Sequence, residues 1–352
     1  MLGASEASEA SGAPGAPGAT GAPGVPGTGL GRPADWAELL RISALFTVPG
    51  DALAGAAAVG LHPNRRTLTA LCASLCLYEA GMALNDWADR EEDAVERPHR
   101  PLPSGRIAPA AALTAAGALT VAGLGLAARA GRPALTAATA LAGTVWAYDL
   151  HLKHTPAGPA AMATARGLDL LLGATATWGP GSRNRSRNWN WNRGSARGAG
   201  PVTGVRAALP ASALLAAHTL AVTAVSRREA QGGSSAIPLG ALAATVVLGA
   251  VVGRGPERGP AAALGLPAAL TAHRSAPQLL GAAYIATAAR PLLHAALNPS
   301  PQLTQRAVGG GIRAMIPLQA ALAARAGSLG TALATAALAP LARRLARKVS
   351  AT

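Results

Sequence analysis

Charge is scarce in this chain and aromatic residues scarcer: 13% of its 352 residues are charged and 3% aromatic, with a single phenylalanine. A soluble domain carries about 25% charged residues. Half that density cannot cover a globule of this length with polar surface. Two cysteines exclude a disulfide scaffold. Acids are outnumbered 16 to 31 by basic residues, and the only lysines are Lys153 and Lys348. What fills the chain is small and apolar, with 50% hydrophobic residues, 42 glycines and a mean hydropathy of +0.27. That content is too apolar for a disordered chain. An integral membrane protein remains.

From Trp36 onward, apolar stretches near the roughly 20 residues needed to cross a bilayer follow one another. They fall at about 36–60, 67–88, 108–130, 132–149, 157–178, 206–225, 237–253, 273–296 and 307–325. A further stretch, 327–342, is a tenth span or a continuation of the ninth. The pattern predicts an all-α bundle of transmembrane helices around a central cavity. Ala and Gly permit close helix approach, and Pro49-Gly50 predicts a kink or break in the first span. Residues 1–31, rich in Gly, Ala and Pro, read as a disordered cytoplasmic tail and not as a signal peptide. Residues 32–346 form the membrane domain, and 179–206 is a low-complexity loop insertion within it.

The net charge of +15 is nearly all arginine. Nucleic-acid binding is the tempting reading, but arginines between apolar spans set topology and hold anionic headgroups. Arg90, Arg97, Arg100 and Arg106 place loop 89–107 in the cytoplasm. The six arginines of 179–206 then fall outside, against the rule. The loop that carries chemistry decides the orientation.

That chemistry starts at Asn85-Asp86-Trp87-Ala88-Asp89-Arg90-Glu91-Glu92-Asp93, which closes the second span. Asn85, Asp89 and Asp93 repeat every four residues, so on a helix they share one stripe, with Asp86 beside it. Stacked carboxylates at the edge of a low-dielectric slab repel one another. A hard divalent cation resolves the repulsion, and Mg²⁺ completes its shell with water and substrate phosphates. The bland alternative is a solvated acidic helix end balanced by Arg90 and Arg97. The proline-rich run Glu96-Arg97-Pro98-His99-Arg100-Pro101-Leu102-Pro103-Ser104-Gly105-Arg106 cannot be helix, and arginines held on it can fork onto phosphate oxygens.

Asn-Asp-x-x-Asp-x-x-x-Asp followed by Arg-Pro-x-Arg-Pro-Leu-Pro-Ser-Gly resembles the first aspartate-rich motif of the UbiA-type intramembrane prenyltransferases. The resemblance covers nearly all the spans, about 35–345. It implies Mg²⁺-dependent transfer of a prenyl group from an isoprenyl diphosphate to a small aromatic or lipophilic acceptor, with Asn85, Asp86, Asp89 and Asp93 holding the metal. Asp89, Asp93 and Lys153 then act catalytically, Lys153 through the segment Tyr148-Asp149-Leu150-His151-Leu152-Lys153. Arg97, Arg100, Arg227 and Glu229 bind substrate. The partners implied are the donor, the acceptor and membrane lipid, with no nucleic acid. The site opens to the cytoplasmic side of the cell membrane.

The second family motif departs from the pattern. Where the superfamily has Asp-x-x-x-Asp, this chain has Ser226-Arg227-Arg228-Glu229-Ala230-Gln231-Gly232-Gly233, with one acid. This form resembles an actinobacterial and cyanobacterial branch. Either Glu229 binds a metal alone, or Arg227 and Arg228 replace the cation. The thin second motif keeps a second function in view, a non-catalytic membrane carrier of isoprenoids. Elsewhere, Arg166 and Asp169 lie one turn apart within a span and either pair with each other facing the cavity or contact substrate. Asp51 lines the acceptor pocket or caps a helix break, Gln319 is a candidate for facing the cavity, and Cys72 and Cys76 read as small buried apolar residues.

Overall fold

The computed structural model describes residues 29–178, 201–227, 234–254 and 268–342. Among these residues the chain is helical apart from turns and one isolated bridge between Leu30 and Ile107. The helices are α1 (Pro33–Leu39), α2 (Val48–Ala58), α3 (Arg65–Ala88), α4 (Arg90–Glu96), α5 (Pro109–Ala130) and α6 (Arg132–Ala147). They continue with α7 (Gly158–Thr177), α8 (Pro201–Ser226), α9 (Ala236–Gly253), α10 (Ala268–Leu297), α11 (Pro301–Arg325) and α12 (Leu329–Ala336). A 3-10 segment, Ile42–Thr47, precedes α2, and a π-helical turn, Tyr148–Leu152, follows α6.

Local chemistry sets the helix starts. Asn64 caps α3, its side chain accepting from the amides of Arg66 at 2.9 Å and Thr67 at 3.2 Å. Prolines stand in the first turn of α5, α6, α7 and α11, where their missing N–H is no loss. Five of the helices are long and apolar enough to cross a membrane: 65–88, 109–130, 205–226, 236–253 and 301–325. Successive helices pack side by side, and α11 returns to α2, so the bundle closes on itself. Helix α7 is enclosed by α2, α3, α6 and α8.

The first expected span, 36–60, is not one helix. The chain turns at Arg41, whose φ of 48° is left-handed, and runs through the 3-10 segment before α2 begins at Val48. Pro49 therefore sits in the first turn of α2 instead of kinking a longer helix. The stretch 327–342 does not continue α11: Gly327 takes φ of 81° and ends that helix. Beyond it the apolar helix Leu329–Ala342, of which α12 is the first part, is shorter than the five long apolar helices. Residues 1–28 and 179–200 of the expected tail and insertion lie outside the described residues. Helix α8 already starts at Pro201, within the expected insertion.

Glycines set how close the helices come. A Cβ on Gly55 would lie 2.2 Å from the Leu170 carbonyl oxygen, and one on Gly173 would lie 2.4 Å from Cα of Ala52. Helices α2 and α7 thus touch backbone to backbone, as small-residue interfaces allow in lipid. Polar cross-links fix the other half of the bundle. Buried His218 of α8 reaches the Tyr284 hydroxyl of α10 at 2.9 Å and the Gly311 carbonyl of α11 at 3.1 Å. The carbonyl only accepts, so Nε2 carries the proton and Nδ1 accepts from the tyrosine. Cys72 and Cys76 are free and half-buried.

Gly173→Ala is expected to lower the thermal unfolding midpoint in detergent, at a cost of about 1–3 kcal/mol from overpacking. Gly117→Ala, on α5 with open space around it, is expected to leave the midpoint unchanged. Equal midpoints for the two variants would refute the close α2–α7 contact.

Candidate functional site

Helix α3 stops at Ala88, and Asp89 (φ −87°, ψ 3°) is the joint before α4. The hydrogen-bond ladder runs through the joint. The Asp89 amide donates to the Asn85 carbonyl at 2.9 Å, Asp93 to Asp89 at 2.8 Å and Arg97 to Asp93 at 2.8 Å. The four-residue spacing therefore survives the bend, and Asn85, Asp89 and Asp93 stand on successive turns.

Each acid of the ladder meets a cation from another segment. Buried Asp86 pairs with Arg41 at 2.9 Å and lies 3.6 Å from Arg100. Buried Asp93 pairs with Arg100 at 2.7 Å and with Arg97 at 3.5 Å. Asp89 pairs with Lys153 and has His154 at 3.9 Å. Arg227, at the end of α8, donates to the Thr155 carbonyl beside that lysine. Asn85 is half-buried. Glu229 lies outside the described residues. Sequence reading missed Arg41, which joins the site through its left-handed turn, and Asp149, buried with Lys153, Asp89, Arg41 and Asp86 as its charged neighbours. Asp149 was quoted beside Lys153 but given no part, because a lone acid in that segment has no spacing partner.

The ligand types suit a hard divalent cation, since Asn85, Asp86, Asp89 and Asp93 present oxygens. Asp86 and Asp93 are turned onto arginines, and Asp89, with 20% of its side-chain surface open, is the member of the set that stands in a ligand cluster. Among the described residues, the acids and histidines whose ligand atoms cluster within 4.8 Å are Asp89, Glu92 and His154, so Asp89 is where the two groupings meet.

A second polar cluster lies deeper in the bundle. Fully buried Asp51 of α2 accepts from Arg166 at 2.5 Å and from Gln319 at 2.6 Å. Gln319 also donates to the Thr47 carbonyl at 2.7 Å. Asp169 accepts from the Ser74 hydroxyl at 2.5 Å and stands against Asp51. The expected pairing of Arg166 with Asp169 is thus corrected: Asp51 takes the guanidinium. Residues one turn apart on α7 point to neighbouring helices, and α2 brings its carboxylate against the arginine.

The proline-rich loop is tied to the start of the bundle. Arg106 bonds Asp35 and Glu38, both at 2.7 Å, and the His99 carbonyl at 2.7 Å. The Ala108 amide donates to the Gly29 carbonyl at 2.8 Å, and the Trp36 indole to the Leu30 carbonyl at 2.7 Å. The Arg32 amide first, and then the Arg106 guanidinium, hold the Asp35 carboxyl below its ordinary range.

Fold and site together describe an integral membrane bundle with an acid-and-arginine clamp at one end. The chain belongs to the UbiA prenyltransferase family, which it matches over residues 43–290. It is 34% identical over 127 residues to a digeranylgeranylglyceryl phosphate synthase of Methanopyrus kandleri and 37% identical over 131 residues to that of Methanothrix thermoacetophila. The matches take in 36% and 37% of this chain and 44% and 48% of the relatives, so the chain spans about half the length of the curated relatives it matches. Its fold is similar to that of a UbiA homolog from Archaeoglobus fulgidus bound to GPP and Mg²⁺, with a TM-score of 0.52, 16% identity, and coverage of 86% of this chain and 99% of that one.

Because folding lowers the Asp35 pKa, the tie between α1 and loop 97–108 contributes stability above the ordinary carboxylate range. It is lost only as pH falls through the depressed value. Limited proteolysis of the loop is expected to stay constant through neutral pH and to rise at strongly acid pH. Asp35→Asn is expected to show raised cleavage already at neutral pH, and equal cleavage of both proteins there would remove the tie.

Proposed function

We propose that the chain transfers a prenyl group from an isoprenyl diphosphate to a lipophilic or aromatic acceptor within the membrane, releasing diphosphate. The observation that carries this reading is the convergence of Asp86, Asp89 and Asp93 with Arg41, Arg97, Arg100 and Lys153 at one end of the bundle. The names of the relatives support prenyl transfer, and they favour a glyceryl phosphate over an aromatic acceptor. The fold relative bound to GPP and Mg²⁺ supports the donor and the metal. The clamp faces the cytoplasm and the protein resides in the cytoplasmic membrane, in keeping with the arginines of loop 89–107.

In this reading Asn85, Asp86, Asp89 and Asp93 hold magnesium. Bound there, the ion supplies Lewis-acid stabilisation of the departing diphosphate. Arg97 and Arg100 turn from Asp93 onto phosphate oxygens, and Arg227 meets the substrate from the end of α8, with Glu229 assigned to substrate from the sequence alone. Lys153 leaves Asp89 for the diphosphate as the allylic carbon–oxygen bond breaks and its electron pair moves to the leaving oxygen. Fixed cations aimed at that growing charge are the largest catalytic contribution available here. The acceptor atom forms the new bond to the allylic carbon and gives its proton to the released diphosphate. Alanine and leucine walls keep water from the carbocation.

Purified full-length protein is expected to release pyrophosphate from geranyl or geranylgeranyl diphosphate with geranylgeranylglyceryl phosphate as acceptor, and to stop when Mg²⁺ is chelated. Asp89→Ala is expected to lower the rate by about a hundredfold or more. Tight donor binding without release would show a carrier instead.

A further inference from the structure

The deep cluster of Asp51, Arg166, Gln319, Asp169 and Ser74 has no part in the clamp chemistry, and its depth gives it a different one. Ser74 lies twelve residues below Asp86 on α3, about 18 Å at the α-helical rise. Along α7, Arg166 lies eight residues past the helix start, about 12 Å below the Lys153 end. Two helices thus independently place the cluster near the middle of a bilayer core about 30 Å thick. Four helices meet there. Asp51 comes from α2, Ser74 from α3, Arg166 and Asp169 from α7 and Gln319 from α11.

The cluster is built tightly. A Cβ on Gly50 would lie 2.0 Å from Oε1 of Gln319, so only glycine there admits the amide against α2. That oxygen is itself buried with no hydrogen-bond partner. Arg166 keeps 16% of its side-chain surface open. Helix α7 is packed by α2, α3, α6 and α8. Tyr78 and Met82 continue the Ser74 stripe upward toward Asp86 at four-residue spacing. A hydrocarbon tail descending from the clamp along this stripe ends on ions and a buried amide. An apolar terminus offers them no hydrogen bond and cannot part them in a low-dielectric interior.

We propose that this cluster is the length stop for the donor's tail, an inference that rests on the prenyl-transfer reading. At about 4.5 Å per extended isoprene unit, the depth of about 12–18 Å holds about three to four units. Donors of two to four units fit between clamp and cluster, and a five-unit donor does not.

The test uses purified full-length protein with Mg²⁺ and geranyl, farnesyl, geranylgeranyl and geranylfarnesyl diphosphates. Two quantities are read: pyrophosphate release, and the donor-induced rise in unfolding midpoint, which needs no turnover. The five-unit donor is expected to be at least about tenfold weaker than the four-unit donor in both. The double variant Asp51→Ala/Arg166→Met removes the ion pair together and leaves Asp169 with the Ser74 hydroxyl as its hydrogen-bond partner. It is expected to recover at least about half of that gap on a logarithmic scale. Gln319→Ala, a neutral truncation, is the companion variant should the double variant fail to fold, and is expected to move the five-unit donor in the same direction. Equal use of all four donors by the unaltered protein overturns the length stop while leaving prenyl transfer standing. A deficit that neither folded variant narrows also overturns it. No midpoint rise and no release with any donor overturns both readings.

Discussion

The pairing of unlike charges where water is scarce organises this protein. Asp86, Asp93, Asp89 and Asp51 each sit on or beside a membrane helix, and each meets a cation from a different segment. A carboxylate left alone at such a place is costly, and a pair costs far less. The pairs therefore fix the loops as much as the loops fix the pairs. Arg41 holds its segment to α3 across a left-handed turn, a conformation that costs a non-glycine residue about 1–2 kcal/mol. Glu79 stands apart: both its oxygens are buried in α3 without a hydrogen-bond partner.

The rest of the bundle depends on how little its side chains occupy. Alanine dominates the buried positions, and the α2–α7 contact leaves no room for even one added carbon on Gly55 or Gly173. Since lipid is as apolar as leucine, such helices associate through close contact and hydrogen bonds instead of an escape from water. Ser212 on the Gly167 carbonyl at 2.9 Å and Thr67 on Thr177 at 2.8 Å are bonds of that kind. Close approach and polar cross-links together bring charged residues of α2 and α7 within reach of each other.

Much of this was legible before any coordinates. Runs of alanine and leucine announced the helices, and the four-residue repeat of Asn85, Asp89 and Asp93 announced a shared stripe, because both are local patterns. Pairings between helices were not legible. Arg166 has two acids within reach in principle, and spacing favoured Asp169, its neighbour in sequence. The choice of Asp51 depends on how closely α2 approaches α7, which no local pattern encodes. The break expected in the first span at Pro49 falls just before it: the turn at Arg41 ends the first helix, and Pro49 opens the next.

The bridge between Leu30 and Ile107, with Arg106 clasping Asp35 and Glu38, has a mechanical corollary. Whatever precedes Gly29 enters the bundle through the same clasp that anchors the arginine-bearing loop. A load applied at Gly29 is borne by that clasp before any membrane helix feels it, so this segment and the arginine-bearing loop behave as two ends of one lever.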